Sequence, residues 1–164
     1  MIEAELFERV VGILEQREET ISIMESCTGG AVCNAITNIT GSSDVFRFGM
    51  VTYSNEAKIK MGMSEKLIEK YTVYSKEVAR EMARLATVQA KSDYGLGITG
   101  MLNQQDRYNP YGDNNIVYFS IYDRKLNCYV DQTVTVSSLI RKENKKFVLR
   151  IIDMKIRDYL KGKK

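Results

Sequence analysis

Glu25-Ser26-Cys27-Thr28-Gly29-Gly30 is the stretch of this chain whose residue types could do chemistry. It offers a carboxylate, a hydroxyl and a thiol beside two glycines that let the backbone turn sharply. The chain has no histidine, which removes the usual general base of serine and cysteine hydrolases. Any nucleophile must therefore be activated by lysine, tyrosine, a carboxylate or a metal-bound water. Ser26 is the candidate nucleophile. Cys27 is its rival, because a thiolate near a helix start would be activated, although no histidine is available to pair with it. Glu25 could act as a base or could close the turn by accepting from backbone N–H groups. A strand followed by glycines and a helix also turns N–H groups and the positive end of a helix dipole toward the loop, where an anion or oxyanion would be stabilised. Thr28-Gly29-Gly30 could equally be a tight turn with a good cap. The P-loop pattern is not met, since it needs a lysine directly after its second glycine, where this chain has Ala31.

Composition narrows the setting for that chemistry. At 164 residues and 44% hydrophobic content, the chain can bury one sizeable core, so a single domain over residues 1–164 is expected. Residues 1–20 carry six glutamates and no unbroken apolar run, unlike a secretion signal, and no segment approaches the roughly 18 apolar residues of a membrane span. A soluble, cytoplasmic protein without membrane contact is the expectation. Cys27, Cys33 and Cys128 form neither an even disulfide framework nor a zinc-type pair of pairs, so reduced thiols are expected, with no metal and no cofactor. The net charge of +3 is unevenly spread: residues 141–164 hold ten Lys/Arg against three Asp/Glu. Such a segment could meet nucleic acid or an anionic ligand, but a solvated basic helix face is the simpler explanation, and nucleic acid is not the expected partner.

The elements that must position Ser26 follow from periodicity. Phe7, Val10, Val11 and Leu14 recur at helical spacing, and Thr20-Ile21-Ser22-Ile23-Met24 alternates in the strand period before the Ser26 turn. Residues 31–38 resume helical propensity. Thr40-Gly41-Ser42-Ser43-Asp44 breaks the pattern before the apolar run 45–53. A strand, helix, strand unit with parallel pairing results. Ser54, Ser64 and Ser75 are placed as caps of three helices, the last with Val78, Met82 and Leu85 on one face. Residues 94–98 form a short apolar strand ending in Thr99-Gly100, beyond which 101–115 is a polar loop with the only proline, Pro110. A long loop beyond a strand end is where α/β proteins place ligands. Residues 116–122 and 128–136 read as an antiparallel hairpin. Val148, Ile152, Ile156 and Tyr159 mark a closing amphipathic helix. The fold class expected is α/β, a three-layer α/β/α arrangement around a mixed, mainly parallel sheet.

Glu25–Gly30 gains meaning beside Gly41-Ser42-Ser43-Asp44-Val45-Phe46 and Tyr53-Ser54-Asn55-Glu56-Ala57-Lys58. Together these resemble the CinA carboxy-terminal family, whose signature is an ESCTGG turn, a GSS loop with an aromatic residue shortly after, and a YSNEAK segment opening a helix. All three occur here in order, within some three dozen residues, and the similarity extends more weakly from Leu6 to about Leu160. The family's best-known activity is deamidation of nicotinamide mononucleotide to nicotinate mononucleotide and ammonia. The resemblance implies Ser26 as nucleophile, Lys58 as its base and Tyr53 as a supporting hydroxyl. It implies attack on the amide carbon, an oxyanion held by turn N–H groups, loss of ammonia and hydrolysis of the acyl-enzyme. For Lys58 to accept a proton near neutrality its pKa must fall from about 10.4 by roughly 3 units. The substrate's phosphate needs an anion site, for which Ser42, Ser43, Thr28 and Thr99 with their neighbouring N–H groups are the candidates. Arg141 and Lys145 lie near a basic pair of the family and could assist, or could be solvated helix charges. The remaining substrate contacts are assigned to Glu25, Cys27, Gly29, Gly30 and Gly100. Members of the family often pair, so a homodimer is expected, and the family's customary amino-terminal partner domain is not found in this sequence.

The resemblance fails at one wall. After Ile98-Thr99-Gly100 the family continues with a glycine-rich, proline-containing loop, whereas this chain carries side chains through residues 101–115, where bare backbone would otherwise approach a ligand closely. The histidine or glycine and alanine common before the family's Val-Ser helix start are likewise replaced, by Tyr71-Thr72-Val73-Tyr74. Tyr71, Tyr74, Tyr108 and Tyr111 could stack a pyridine ring or fill a surface. Three readings stay open: an amidohydrolase, possessing the usual or an altered substrate preference; a noncatalytic relative binding a nucleotide or a protein partner; and a nucleic-acid accessory protein acting through Arg141, Lys142, Lys145, Lys146 and Arg150.

Overall fold

The computed structural model describes residues 5–103, 107–112 and 115–163. Its elements run α1 (Glu8–Arg17), β1 (Ile21–Glu25), α2 (Ala31–Thr37), a 3-10 turn (Ser42–Asp44), β2 (Phe46–Val51), α3 (Asn55–Lys60), α4 (Glu65–Tyr71), α5 (Lys76–Ala90), β3 (Tyr94–Gly100), β4 (Ile116–Asp123), β5 (Cys128–Thr135) and α6 (Arg141–Gly162). The strands form one sheet in the order β2-β1-β3-β4-β5. β1 pairs in parallel with β2 and with β3, while β3–β4 and β4–β5 are antiparallel. The sheet is mixed as expected, with its parallel part confined to the three strands that carry crossover helices.

β1 is buried along its whole length, because it lies between two strands and under helices on both faces. Ile21 and Ile23 join Val10, Leu14, Val32, Ile36, Val148 and Ile152 in the larger core, so α1, α2 and α6 cover one face. Met24 joins Val78, Met82 and Leu85 in a second core under α5, with Leu67 and Ile68 of α4 packed against it. The α5 contact is unusually close: a Cβ built at Gly95 would lie 1.9 Å from the Ala83 carbonyl oxygen, and one at Gly97 2.1 Å from that of Ala79. Only glycine fits beneath this helix.

Helix starts at Ser54 and Ser75 are capped as the sequence indicates, their hydroxyls accepting from Ala57 N (3.1 Å) and Val78 N (3.2 Å). Ser64 precedes α4 without a side-chain cap bond. Thr72 ends α4 at φ 63, ψ 166, a region that suits glycine and strains a β-branched residue. The last turn of α6 is fastened to the sheet through Lys163, whose ammonium donates to Asp123 and, at 2.7 Å, to the Tyr94 hydroxyl, while Tyr159 donates to Asp123 at 2.6 Å. No helix among the described residues is long and apolar enough to cross a membrane.

Candidate active site

The carboxyl ends of β1, β2 and β3 point the same way, and a crevice opens where the chain leaves β1 for α2 on one face and leaves β3 for the loop after Gly100. Ser26 follows β1 directly. Its N–H donates to Ile98 O of β3 at 3.0 Å, so the ladder continues one residue past the strand and seats the turn. The turn bends through left-handed Gly29 (φ 62) and Gly30 (φ 94), and α2 starts.

The amides at the start of α2 are already occupied. Glu25 is fully buried and its carboxylate accepts from Thr28 Oγ1 (2.6 Å), Val32 N (3.0 Å) and Cys33 N (3.0 Å). The helix carries its own internal anion, and Glu25 closes the turn rather than facing the crevice. Thr28, which spends its hydroxyl on Glu25, is fully buried with it. This answers the choice left open by the sequence between an anion cradle and a capped turn, for these donors, in favour of the turn.

Lys58 comes from the far side of the crevice. The turn of α3 that Ser54 caps carries it inward to 2% exposure, where its Nζ donates to Ser26 Oγ at 3.1 Å and to Thr52 O at 2.7 Å. Ser26 itself is 8% exposed. The two groups stand at the floor of a cavity of about 800 Å³ whose lining includes Ser26, Cys27, Tyr53, Asn55, Lys58, Val73, Tyr74, Thr99, Gly100, Met101, Tyr108, Asn109 and Arg141. Burial pushes the Cys27 thiol up to about 12, against the lowering influence of Lys58. At neutral pH it is a thiol and not a thiolate.

Of the other expected site residues, Tyr53 lies at the mouth, 62% exposed, with Arg141 Nη2 donating to its hydroxyl at 3.5 Å. Arg141 also donates to Asn103 Oδ1 at 3.2 Å and is the cation placed at the cavity rim by the first turn of α6. Thr99 lines the wall, but its hydroxyl donates to Val73 O at 2.6 Å. Lys145 stands by the turn, its Nζ 3.3 Å from where a Cβ on Gly29 would sit.

Ser42 and Ser43 are not brought to the cavity. They precede β2, and because β2 runs parallel to β1 with Ile21 opposite Phe46 and Glu25 opposite Val51, they lie at the opposite end of the sheet from Ser26. The crossover helix α2 returns the chain to that end. Within one chain they cannot share a ligand with Ser26, and the expected phosphate set of Ser42, Ser43, Thr28 and Thr99 hydroxyls does not assemble. The sequence also missed the cavity role of Asn55 and Asn109, whose amides pair reciprocally at 2.9 and 3.1 Å. Asn55 was findable, being three residues before Lys58 on one helix face. Tyr74 and Tyr108 line the cavity. Tyr111 is exposed. In the 101–115 loop, residues 104–106 and 113–114 lie outside the described residues. Among the described residues no group of three His, Cys, Asp or Glu comes together as metal ligands would.

With this geometry in hand the relatives are informative. The family description CinA C-terminal domain matches residues 3–153, and the chain belongs to that family. A "Putative competence-damage inducible protein" of Caldicellulosiruptor saccharolyticus is 45% identical over 97 residues, 58% of this chain and 24% of that protein. A "CinA-like protein" of Kosmotoga olearia is 40% identical over 121 residues, 73% of this chain and 29% of the relative. The match thus spans under a third of these relatives' length. Among solved structures, the competence/damage inducible protein CihA of Agrobacterium tumefaciens superposes with TM-score 0.84 at 25% identity, over 96% of this chain and 94% of that one. A competence damage-inducible protein A of Klebsiella pneumoniae gives TM-score 0.89 at 18% identity, over 97% of each chain, a likeness of fold.

Proposed function

We propose that this protein is a Ser/Lys amidohydrolase that deamidates nicotinamide mononucleotide. One observation carries the proposal: a buried lysine amine 3.1 Å from a buried serine hydroxyl at the floor of an open cavity, in a chain without histidine. A neutral Lys58 amine would keep its orientation through Thr52 O while its lone pair takes the Ser26 proton. Ser26 Oγ then bonds to the carboxamide carbon, and the tetrahedral oxyanion forms beside the turn. Ser26 N–H and Gly29 N–H are engaged by Ile98 O and Ser26 O, and the proposal assigns the oxyanion to a remaining amide of the turn, the one directly following the nucleophile. Lys58 returns the proton to the leaving nitrogen, ammonia departs, and water activated by the same amine cleaves the acyl-enzyme. Arg141 at the cavity rim meets the phosphate, and Val73, Tyr74 and Met101 offer apolar surface to the pyridine ring.

The chemistry is tested by ammonia release from nicotinamide mononucleotide, with nicotinamide and glutamine as controls. Wild type should turn over the nucleotide, and Ser26→Ala should not. The side chains of Met101, Tyr108 and Asn109 in the cavity wall favour a second reading, in which the same dyad serves a different carboxamide; turnover of another amide in a panel, but not of the nucleotide, would select it. A homodimer belongs to the same proposal and is checked by light scattering on the eluted protein.

A further inference from the structure

We infer that Asn109, clasped by Asn55, is a positioning residue that fixes the width of the cavity, so that the proposed amidohydrolase, on whose reading this rests, owes its substrate affinity to an uncharged amide pair. Asn109 belongs to the polar loop that follows β3. Among residues 107–112 Asn109 alone is buried, at 7% exposure, while Tyr108 and Tyr111 beside it are 72% and 54% exposed. The Asn55 Nδ2 donates to Asn109 Oδ1 at 2.9 Å and Asn109 Nδ2 donates back to Asn55 Oδ1 at 3.1 Å, a closed two-bond ring between complementary carboxamides. Asn55 opens α3 and shares a face with Lys58 three residues on, and Asn55, Asn109 and Lys58 all line the cavity.

The start of the same loop is tied down on the other side of the cavity. Asn103 Nδ2 donates to Leu139 O at 2.8 Å and its Oδ1 accepts from Arg141, while buried Asn144 of α6 donates to Leu102 O. Residues 101–103 are thereby attached to α6, and 107–112 to α3. The wall made by Tyr108 and Asn109 can move outward only if the amide ring opens. Ser26 and Lys58 are held by other contacts, the Ile98 ladder bond and the Thr52 carbonyl, so opening the ring should weaken substrate binding more than it slows the chemistry.

The experiment compares wild type with Asn109→Ala, Asn109→Asp, Asn55→Ala and the double alanine variant, in steady-state turnover of nicotinamide mononucleotide and in hydrogen exchange over residues 107–112 without ligand; Asn109→Ser serves where a variant folds poorly. Each single change should raise KM about tenfold with kcat altered less than about threefold, and the double change should be no worse than either single one, as expected for one shared interaction. Exchange over 107–112 should accelerate in every variant. Unchanged KM, a loss confined to kcat, or additive losses in the double variant would overturn the inference. If wild type turns over no carboxamide, the amidohydrolase reading fails by itself and exchange decides the clasp: acceleration supports it, unchanged exchange refutes it.

Discussion

The distance between Ser26 Oγ and Lys58 Nζ, 3.1 Å, gives the most direct predictions at the scale of single residues. Lys58→Ala should lower kcat about a thousandfold, within the usual range for a lost general base. Lys58→Arg should be as inactive, because guanidinium keeps the charge but does not release its proton; recovery of activity in the arginine variant would mean that Lys58 acts as a charge. Cys27 should behave oppositely. With its thiol pushed up to about 12 by burial, it should resist iodoacetamide at pH 7.5, and Cys27→Ala should retain turnover within about threefold. The pairing of Ser26 with Lys58 was legible only through the family resemblance of two short motifs, since a separation of 32 residues gives no local geometry that joins them. The placement of Ser42 and Ser43 was misread. Their hydroxyls suit an anion by type, but a parallel crossover must deliver the next strand's start to the far end of the sheet. Glu25 was readable only as an alternative, since a carboxylate type does not reveal whether its lone pairs are already filled.

Among the elements, α5 and its glycine bed are the most tightly constrained. Gly97→Ala would drive a methyl to 2.1 Å from the Ala79 carbonyl oxygen, and α5 must lift off β3; a loss of about 3 kcal/mol or more in urea unfolding is expected. Thr72→Gly should do the reverse. Relief of a φ 63, ψ 166 β-branched residue should stabilise the fold by about 1 kcal/mol, net of the added freedom of the unfolded chain. Helix and strand periods, and the serine caps at Ser54 and Ser75, were legible because they are local. The glycines at 95 and 97 were not read as packing residues, since closeness between a helix and a strand depends on side chains far apart in sequence. The clasp of Asn109 to Asn55 was invisible for the same reason: two asparagines separated by 54 residues carry no pattern.

For the molecule as a whole, acid stability should hinge on two carboxylates away from the cavity. Burial pushes Asp123 upward, but the Lys163 ammonium and the Tyr159 hydroxyl outweigh it and hold the carboxyl below its ordinary value of 3.8. Asp131 is likewise held low, burial being overcome by Arg80 and Ser120. A folded pKa below the unfolded one stabilises the native state at pH values above the unfolded pKa, and that contribution is lost as pH falls through the folded pKa. Unfolding free energy should therefore drop as pH goes below about 4, and Lys163→Ala should flatten part of that drop in urea titrations between pH 3 and 6. The basic face of α6 belongs to this scale too. If its charges are merely solvated, DNA should bind only at low salt and without sequence preference.

The hydrogen bond from Ser26 N to Ile98 O has a consequence for biosynthesis. The Ser26 motif leaves the ribosome ahead of the carbonyl that seats it, which belongs to a strand translated some seventy residues later. A nascent chain ending before Ile98 carries β1, β2 and α3 with both side chains, yet lacks the ladder bond that seats the Ser26 turn. The order of translation therefore leaves the Ser26 turn unseated until β3, the strand in the middle of the sheet, has emerged and docked.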